Sequence, residues 1–291
     1  MRAGFVTIVG RPNVGKSTLL NRLVGQKVAI VTEKPQTTRN RILAIANTPS
    51  AQMVFFDTPG IHKPKHEMNR RMVELAVRSL KNVDLALLLV DVTEPFGGGD
   101  EFVLDRVREA RVPVILALNK IDRIRKPEIL GIIEDYRHRH DFAEIVPLSA
   151  LTGENVDALV SALERHLPEG EPLYPPDTLT DLPERFFVAE IVREKILEAT
   201  REEIPYSTAV VIDAWEEGEK LTRIEASVLV ERDSQKGILV GKGGSMMKRI
   251  GTAARQDIEA FLGTRVFLGL HVRVRPEWRE NERFLSELGI E

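Results

Sequence analysis

The sequence contains no cysteine, no long apolar run and little net charge, and each absence excludes a class of protein. Without cysteine there is no disulfide, thiol nucleophile or cysteine-ligated metal. The longest apolar run, Leu85–Val90, is too short to span a bilayer. The first residues lead directly into a predicted strand and leave no room for a signal peptide. We therefore expect a cytoplasmic protein. Its net charge of −3 indicates no particular partner, and its 291 residues suit about two domains.

The loop Gly10–Ser17 organises the first part of the chain. It has the pattern G-x-x-x-x-G-K-S, follows the apolar run Phe5–Val9 and precedes leucines at helical spacing. This strand–loop–helix context is that of a phosphate-binding loop, in which backbone N–H groups and a helix N-terminus bind phosphate oxygens. We expect Lys16 to reach the β- and γ-phosphates and Ser17 to ligate Mg²⁺. The nucleotide contacts predicted in this loop are Gly10, Asn13, Val14, Gly15, Lys16, Ser17 and Thr18.

Two later segments are predicted to sense the γ-phosphate. Asp57 follows an apolar strand and would hold Mg²⁺ directly or through water, and Gly60 would offer it a backbone N–H. The polar loop 32–40 has no apolar period, and we favour Thr38 over Thr37 in it as a further Mg²⁺ ligand. The predicted metal ligands are thus Ser17, Thr38 and Asp57, and the predicted catalytic groups are Lys16, Thr38 and Gly60.

The segment Asn119–Asp122 has the pattern N-K-x-D and follows a third apolar strand. The carboxylate of Asp122 can accept from both N1–H and the 2-amino group of guanine, which adenine lacks, and such paired contacts discriminate strongly. Asn119 would join neighbouring loops, and the stem of Lys120 would stack on the base. Ser149 and Ala150 would close the pocket with a backbone N–H toward guanine O6. We therefore predict GTP or GDP with Mg²⁺, and not ATP.

Ile61 follows Gly60, where Ras-like GTPases usually carry a glutamine that orients the attacking water. Isoleucine cannot orient water, so we expect slow intrinsic hydrolysis. Asn13 has two interpretations: it binds a monovalent cation such as K⁺ in place of an arginine finger, or it bonds only to local backbone. The sequence leaves both open.

Strands alternate with helices up to residue 166, which predicts an α/β fold with a doubly wound, mostly parallel sheet. Within it, Arg41–Asn47 and Gln52–Phe56 are predicted to form a hairpin, and Asp100 is the predicted N-cap of a helix. Five prolines in residues 168–183 predict an extended linker. We expect a Ras-like P-loop domain with a six-stranded sheet at 1–167, the linker at 168–183 and a second domain at 184–291.

The second domain is polarised in charge. Residues 183–233 carry 7 Lys/Arg and 13 Asp/Glu, whereas residues 234–279 carry 9 Lys/Arg and 3 Asp/Glu. The basic part contains Gly241–Gly244, a G-x-x-G turn of the kind with which KH domains grip single-stranded nucleic acid. The predicted order helix–strand–strand–helix–helix–strand is that of an α+β type II KH fold, and RNA fits its narrow clamp better than duplex DNA. The predicted RNA contacts are Lys236, Gly237, Ile238, Gly241, Lys242, Gly243, Gly244, Lys248 and Arg249.

Over nearly its whole length the chain resembles the Era family of bacterial ribosome-assembly GTPases. The motifs that carry the resemblance are Gly10–Ser17, Pro35–Arg39, Asp57–His66, Asn119–Asp122, Ser149–Ala150, Glu231–Gly237 and Gly241–Gly244. The resemblance implies binding to the 3′ end of 16S ribosomal RNA, a role in maturing the 30S subunit and a GTP form that favours RNA binding. We expect a monomer.

Two other functions remain open from the sequence. One is an RNA chaperone for which GTP is only a structural ligand. The other is a GTPase at the inner membrane surface, which would use the basic helix around Lys248 and Arg249 on anionic lipid. The second would require Met246, Met247 and Ile250 to face outward.

Overall fold

A computed structural model describes residues 1–32, 34, 36–64, 66–201 and 204–290. Glu33 of the polar loop lies outside the described residues, as do Pro35 and Lys65, which belong to stretches that carry the resemblance. The chain divides into two compact units. The first comprises residues 1–29, 36–64, 66–181 and 290, and the second comprises residues 30–32, 34, 182–201 and 204–289.

The first unit alternates strands and helices along one sheet. Its strands are β1 (Arg2–Val9), β2 (Ile42–Asn47), β3 (Ala51–Asp57), β4 (Leu85–Asp91), β5 (Val114–Asn119) and β6 (Glu144–Leu148). Its helices are α1 (Lys16–Val24), α2 (Glu67–Arg78), α3 (Gly98–Ala110), α4 (Lys126–Arg137) and α5 (Val156–His166). The strand order is β2-β3-β1-β4-β5-β6, and only the β2–β3 hairpin is antiparallel. This confirms the predicted doubly wound, mostly parallel sheet.

The buried strands place the functional loops at one edge of the sheet. In β4, the apolar residues from Leu85 to Val90 are all buried, as expected for a parallel strand covered on both faces. The carboxyl ends of β1, β3, β4 and β5 lead into the loops after Val9, Asp57, Asp91 and Asn119. Ligands of doubly wound sheets bind at this edge.

The start of α3 differs from the prediction. Asp100 is not the N-cap, because the helix begins at Gly98 and Gly97 caps it. Asp100 lies in the first turn instead, where its Oδ2 accepts a hydrogen bond from Gly97 N at 3.0 Å. A carboxylate in the first turn satisfies a free N–H group there and also complements the helix dipole.

Residues 168–181 hold no helix or strand and belong to the first unit. They bond to the hairpin: Gln52 Oε1 accepts from the backbone N of Leu173 (2.6 Å) and Tyr174 (2.9 Å), and Thr180 Oγ1 donates to Leu43 O (2.7 Å). Ile45 N also donates to the carbonyl of Leu179 (2.9 Å). The stretch is therefore irregular, as its prolines predict, but it is packed along β2 and β3.

The second unit covers a three-stranded sheet with helices. Its elements are α6 (Glu184–Ala199), α7 (Ile204–Ser207), β7 (Ala209–Glu217), β8 (Thr222–Val230), α8 (Asp233–Val240), α9 (Ser245–Leu262), β9 (Val266–Val274) and α10 (Glu282–Glu287). β8 pairs antiparallel with β7 and parallel with β9. Buried residues of α6, α9 and the sheet, such as Val192, Ile258 and Val228, form one apolar core. Apart from the short α7 and α10, the order is the one predicted for a type II KH fold.

Candidate functional site

The loop between β1 and α1 is built for a close approach of backbone to a ligand. Gly15 caps α1 with φ 99°, a left-handed conformation that disfavours side chains. A Cβ on Gly15 would lie 2.4 Å from Nδ2 of Asn119 at the end of β5. The close packing of Asn119 against the phosphate-binding loop therefore requires a glycine at position 15. Of the other predicted contacts, Gly10 and Val14 are buried, Thr18 is half-buried and Asn13 is exposed.

Lys16 lies inside this loop with only 6% of its surface exposed. Its Nζ donates to the carbonyl oxygens of Arg11 (2.9 Å) and Gly10 (3.4 Å). Burial lowers the pKa of Lys16 to about 8, and the nearby Asp57 carboxylate opposes this shift only in part. A buried ammonium held by carbonyl groups gains a strong stabilising interaction when a phosphate binds beside it.

Three oxygen-bearing side chains meet next to Lys16. Ser17 Oγ donates to Asp57 Oδ2 at 2.7 Å, and Thr38 Oγ1 lies 2.8 Å from Ser17 Oγ and donates to Asp57 Oδ2 at 3.3 Å. The structure thus brings together the three predicted metal ligands, from α1, the polar loop and β3.

The chemistry of this group fits Mg²⁺. Asp57 is fully buried and its Oδ1 has no hydrogen-bond partner in the described part of the chain. Burial raises the pKa of Asp57, and the opposing effects of Lys16, Ser17 and Thr38 do not cancel the rise. A hard cation with oxygen ligands would relieve both the orphaned oxygen and the desolvation. Among the described residues no three His, Asp or Glu side chains cluster around a metal position.

The segment after β3 lies against the phosphate loop. Ile61 N donates to Gly10 O at 3.1 Å, and a Cβ on Gly60 would lie 2.6 Å from Pro12 N. The side chain of Ile61 is fully buried among core residues such as Val9 and Leu88. It therefore points away from solvent and cannot contact an attacking water.

The predicted base-binding residues come from the ends of β5 and β6. Asn119 is 2% exposed and joins two loops: its Nδ2 donates to Val14 O (2.7 Å) and its Oδ1 accepts from Ala150 N (2.8 Å). Lys120 Nζ donates to Asn13 O (2.9 Å). Asp122 is exposed in a 3₁₀ turn, with its carboxylate available to a base, and Ser149 is fully buried.

Sequence reasoning missed two residues that bond to this site. Asp91 at the end of β4 forms an ion pair with Lys120. Arg22 of α1 donates from Nε to Ala150 O at 2.7 Å and from Nη2 to Leu151 O at 2.5 Å, which fixes the loop of Ser149 and Ala150. Asp91 carried a detectable signal, because, like Asp57 and Asn119, it is a polar residue at the carboxyl end of a buried strand. Arg22 carried none, since its partners are more than a hundred positions away.

The G-x-x-G turn of the second unit joins α8 to α9. Gly243 has φ 60° and Gly244 has φ 79°. The side chains of Lys236, Ile238, Lys242, Lys248 and Arg249 are all exposed around it, as are Gly237 and Gly243, while Gly241 and Gly244 are half-buried. The elements that flank the turn thus carry exposed lysine and arginine side chains, and two glycines of the segment are exposed, as binding to a phosphate backbone requires.

The apolar residues in the first turns of α9 face the core, whereas Phe261 near its end is exposed. Ile250 is 1% exposed, and Met246 and Met247 are partly buried against the same core. These three residues do not offer a lipid surface an apolar face. In the part of the chain that the structure describes, no helix combines the length and apolar character that crossing a bilayer demands.

Comparison with known proteins gives two family matches and full-length relatives. Residues 5–120 match the family described as 50S ribosome-binding GTPase, and residues 203–279 match the KH domain family. The GTPase Era of Geobacter metallireducens is 52% identical over 290 residues, which cover 99% of this chain and 97% of that protein.

Two solved Era structures share the fold over the whole chain. A variant of Aquifex aeolicus Era bound to GDP·AlF4⁻ is 44% identical with a TM-score of 0.96. Era in complex with MgGDPNP and nucleotides 1506–1542 of 16S ribosomal RNA is 44% identical with a TM-score of 0.97. Each alignment covers 100% of this chain and 99% of the other.

Proposed function

The chain belongs to the Era family of GTPases, and from this membership we propose that it is a GTP-hydrolysing switch that binds ribosomal RNA. Its KH unit would bind the single-stranded 3′ end of 16S ribosomal RNA and so act in assembly and maturation of the 30S subunit. The observation that carries the proposal is the complex of a full-length relative with both MgGDPNP and that RNA segment.

The first unit supplies the groups that a GTPase needs. Lys16 and the N-terminus of α1 bind the β- and γ-phosphates, and Asp122 reads guanine between Lys120 and Ala150. Ser17, Thr38 and Asp57 hold Mg²⁺, which when bound neutralises negative charge on the β- and γ-phosphate oxygens. Gly60 contacts the γ-phosphate through its backbone N–H, so loss of that phosphate releases the segment that follows.

Hydrolysis in this protein lacks the glutamine side chain that orients the attacking water in Ras-like GTPases. Ile61 is buried in the core, so hydrolysis depends on Mg²⁺, Lys16 and the backbone of the phosphate loop, and intrinsic turnover is slow. We propose that a bound partner or a monovalent cation raises the rate. Asn13, exposed with φ 65° in the phosphate loop, is the residue that would hold K⁺.

The second unit supplies the RNA site. The backbone of Gly241–Gly244 approaches the phosphates, and the basic side chains beside it add electrostatic attraction. The segment 234–279 has an excess of positive charge of six, so affinity must fall as salt rises. We propose that the protein works as a monomer in the cytoplasm, where its ribosomal partner is. The inward position of Ile250 favours RNA over a membrane surface as the partner of α9.

The decisive experiment compares four binding conditions at one stated salt concentration. A short RNA from the 3′ end of 16S ribosomal RNA and a scrambled control are each titrated with the GTP-analogue form and the GDP form. We expect preference for the cognate RNA, and tighter binding with the analogue. Equal weak binding in all four conditions would overturn the proposal, because it would reduce the basic surface to non-specific electrostatics.

A second experiment separates a switch from a chaperone with a structural nucleotide. Wild type and Lys16→Ala are loaded with GTP and followed through a single turnover. Hydrolysis by wild type that the variant loses establishes a catalytic site. If neither form hydrolyses GTP, even with RNA present, GTP is only a structural ligand.

A further inference from the structure

Asp91 is a buried charge beside the base-binding loop that the roles assigned above do not use. It is the last residue of β4, and in the parallel pairing of β4 with β5 it lies opposite Asn119. Val92 N donates to Asn119 O at 3.0 Å, which fixes the two strand ends relative to each other. Only 13% of the side chain of Asp91 is exposed.

Both carboxylate oxygens of Asp91 have partners. Oδ2 accepts a hydrogen bond from Lys120 Nζ, and Oδ1 accepts from Thr93 N (3.0 Å) and Thr93 Oγ1 (2.6 Å). Burial alone would raise the pKa of Asp91, but the hydrogen bonds from Lys120 and Thr93 outweigh it and lower the pKa. The group is thus ionised and cannot rotate without losing three hydrogen bonds.

The ammonium of Lys120 is held from two sides. Asp91 binds it from β4, and Asn13 O binds it from the phosphate loop. A lysine side chain that is free to rotate loses rotamer entropy when it becomes ordered on a ligand, and this loss weakens binding. In this protein the Lys120 side chain is already ordered in the folded state, so its methylene stem has the required orientation before a nucleotide binds.

We propose that Asp91 is a positioning residue of the guanine site, which fixes the stem of Lys120 as the wall on which the base stacks. The inference rests on the proposed nucleotide site and deepens it. Stacking on a lysine stem does not depend on the 2-amino group of the base, whereas the contact of Asp122 does. Asp91 therefore adds affinity for purine nucleotides without distinguishing guanine from hypoxanthine, which is the distinction that Asp122 makes.

The test uses Asp91→Asn in the full-length protein, because asparagine keeps the shape and removes the charge. We expect its affinity for GDP to fall about tenfold, which is about 1.4 kcal/mol. Affinity for inosine diphosphate, which lacks the 2-amino group, falls by the same factor, so the ratio of the two is unchanged. In steady-state hydrolysis the loss appears in KM and not in kcat. Asp91→Glu, which keeps the charge, recovers part of the affinity.

A double-mutant cycle distinguishes positioning from a general structural role. If Asp91 acts through Lys120, then Asp91→Asn adds no further loss in a Lys120→Met background. Losses that add in the double variant would overturn the inference, as would a change of less than twofold for Asp91→Asn alone.

Two further variants serve as references. Asp257→Asn breaks a 2.8 Å ion pair with Lys195 in the second unit and should not change GDP affinity. Asp122→Asn should shift preference from GDP to xanthosine diphosphate, since its amide donates where the carboxylate accepts. If Asp122→Asn shows no such shift, the guanine site itself is wrong. If it does and Asp91→Asn has no effect, only the role of Asp91 is wrong.

Discussion

Gly60 lies so close to the phosphate loop that no side chain fits there. A Cβ on it would lie 2.6 Å from Pro12 N and 2.7 Å from Pro12 Cα. These are backbone atoms, which cannot move aside as the end of a flexible side chain can. We expect Gly60→Ala to lower the single-turnover rate of GTP hydrolysis at least tenfold, about 1.4 kcal/mol in activation free energy. GDP affinity falls less, because the proposed contact of Gly60 is with the γ-phosphate.

Gly131 is a matched control for that substitution. It lies inside α4, and a Cβ on it would meet no atom within 4 Å. Gly131→Ala should leave hydrolysis unchanged and raise the free energy of unfolding by about 0.4–1 kcal/mol. Equal hydrolysis rates in the two variants would contradict the proposed role of Gly60.

Thr38 and Thr37 are adjacent in sequence, but we expect their substitutions to have different effects. Thr38 is 7% exposed, and its hydroxyl contacts both Ser17 and Asp57. Thr38→Ala removes the proposed Mg²⁺ ligand, which we expect to act only when the γ-phosphate is present. We expect about tenfold weaker binding of a GTP analogue and a higher Mg²⁺ requirement, with GDP affinity nearly unchanged. A Mg²⁺ titration of analogue binding measures this, and a larger effect of Thr37→Ala would reverse the assignment.

At the scale of elements, the turn between α8 and α9 can be changed without disturbing the helices. Lys242 and Gly243 are exposed, a Cβ on Gly243 would meet no atom within 4 Å, and its φ of 60° is one that Asp tolerates. The double variant Lys242→Asp with Gly243→Asp places two carboxylates where phosphates are expected. We predict at least a thirtyfold loss of RNA affinity, about 2 kcal/mol, from repulsion and lost charge.

The control for the clamp is Lys220→Asp, which changes an exposed charge between β7 and β8. Intrinsic GTP hydrolysis should match wild type in both proteins, and the clamp variant should melt slightly lower because a side chain at φ 60° is strained. If the clamp variant binds RNA as Lys220→Asp does, the turn is not the RNA site.

Local sequence patterns predicted the buried elements well and their ends poorly. The run Leu85–Val90 predicted β4 to within one residue, because burial on both faces requires a continuous apolar run. The predicted start of α3 was wrong. Gly97 is the N-cap, and the Asp100 carboxylate accepts a hydrogen bond from the backbone N–H of Gly97 from its place in the first turn. β1 extends back to Arg2, whose guanidinium donates to carbonyls of Arg165 and Leu167. No window around Arg2 contains those partners.

The residues of the candidate site could be predicted where they belong to sequence motifs with fixed spacing. The motif residues Lys16, Asp57 and Asn119 each follow an apolar strand, so their meeting at one edge follows from the parallel sheet. The packing of residues 168–181 was not predictable, because it depends on Gln52 and other partners more than a hundred positions away. Composition showed only that this stretch is irregular.

At the scale of the whole molecule, a short segment of the polar loop belongs to the second unit. Residues 30–32 and 34 group with it. Val31 N donates to Glu194 Oε1 at 3.2 Å, and Lys34 Nζ donates to the carbonyls of Leu197 and Thr200 at the end of α6. Thr38, the proposed Mg²⁺ ligand, follows Lys34 by four positions in the chain. The chain itself therefore connects the metal ligand to the RNA-binding unit.

Lys34→Met tests this connection while keeping the length of the side chain. In wild type the GTP analogue should raise RNA affinity relative to GDP. We expect this ratio of affinities to be at least threefold smaller in Lys34→Met, which corresponds to a loss of about 0.7 kcal/mol of coupling free energy. Affinity for GDP and the RNA affinity of the GDP form should not change. Lys81→Met, at an exposed position of the first unit, is the control. Unaltered tightening in Lys34→Met would show that the connection does not transmit the nucleotide state.

Because Ile61 is buried, we expect the GTP form of this protein to be hydrolysed slowly in the absence of a partner. The side chain of Ile61 packs in the core with Val9 of β1 and Leu88 of β4, so a polar, water-orienting side chain at this position would disrupt the core. We expect the lifetime of the GTP form to be set by the arrival of whatever accelerates hydrolysis. If a mature ribosomal precursor supplies that acceleration, slow intrinsic hydrolysis keeps the protein bound until the precursor is mature, whereas a fast enzyme would release every precursor alike.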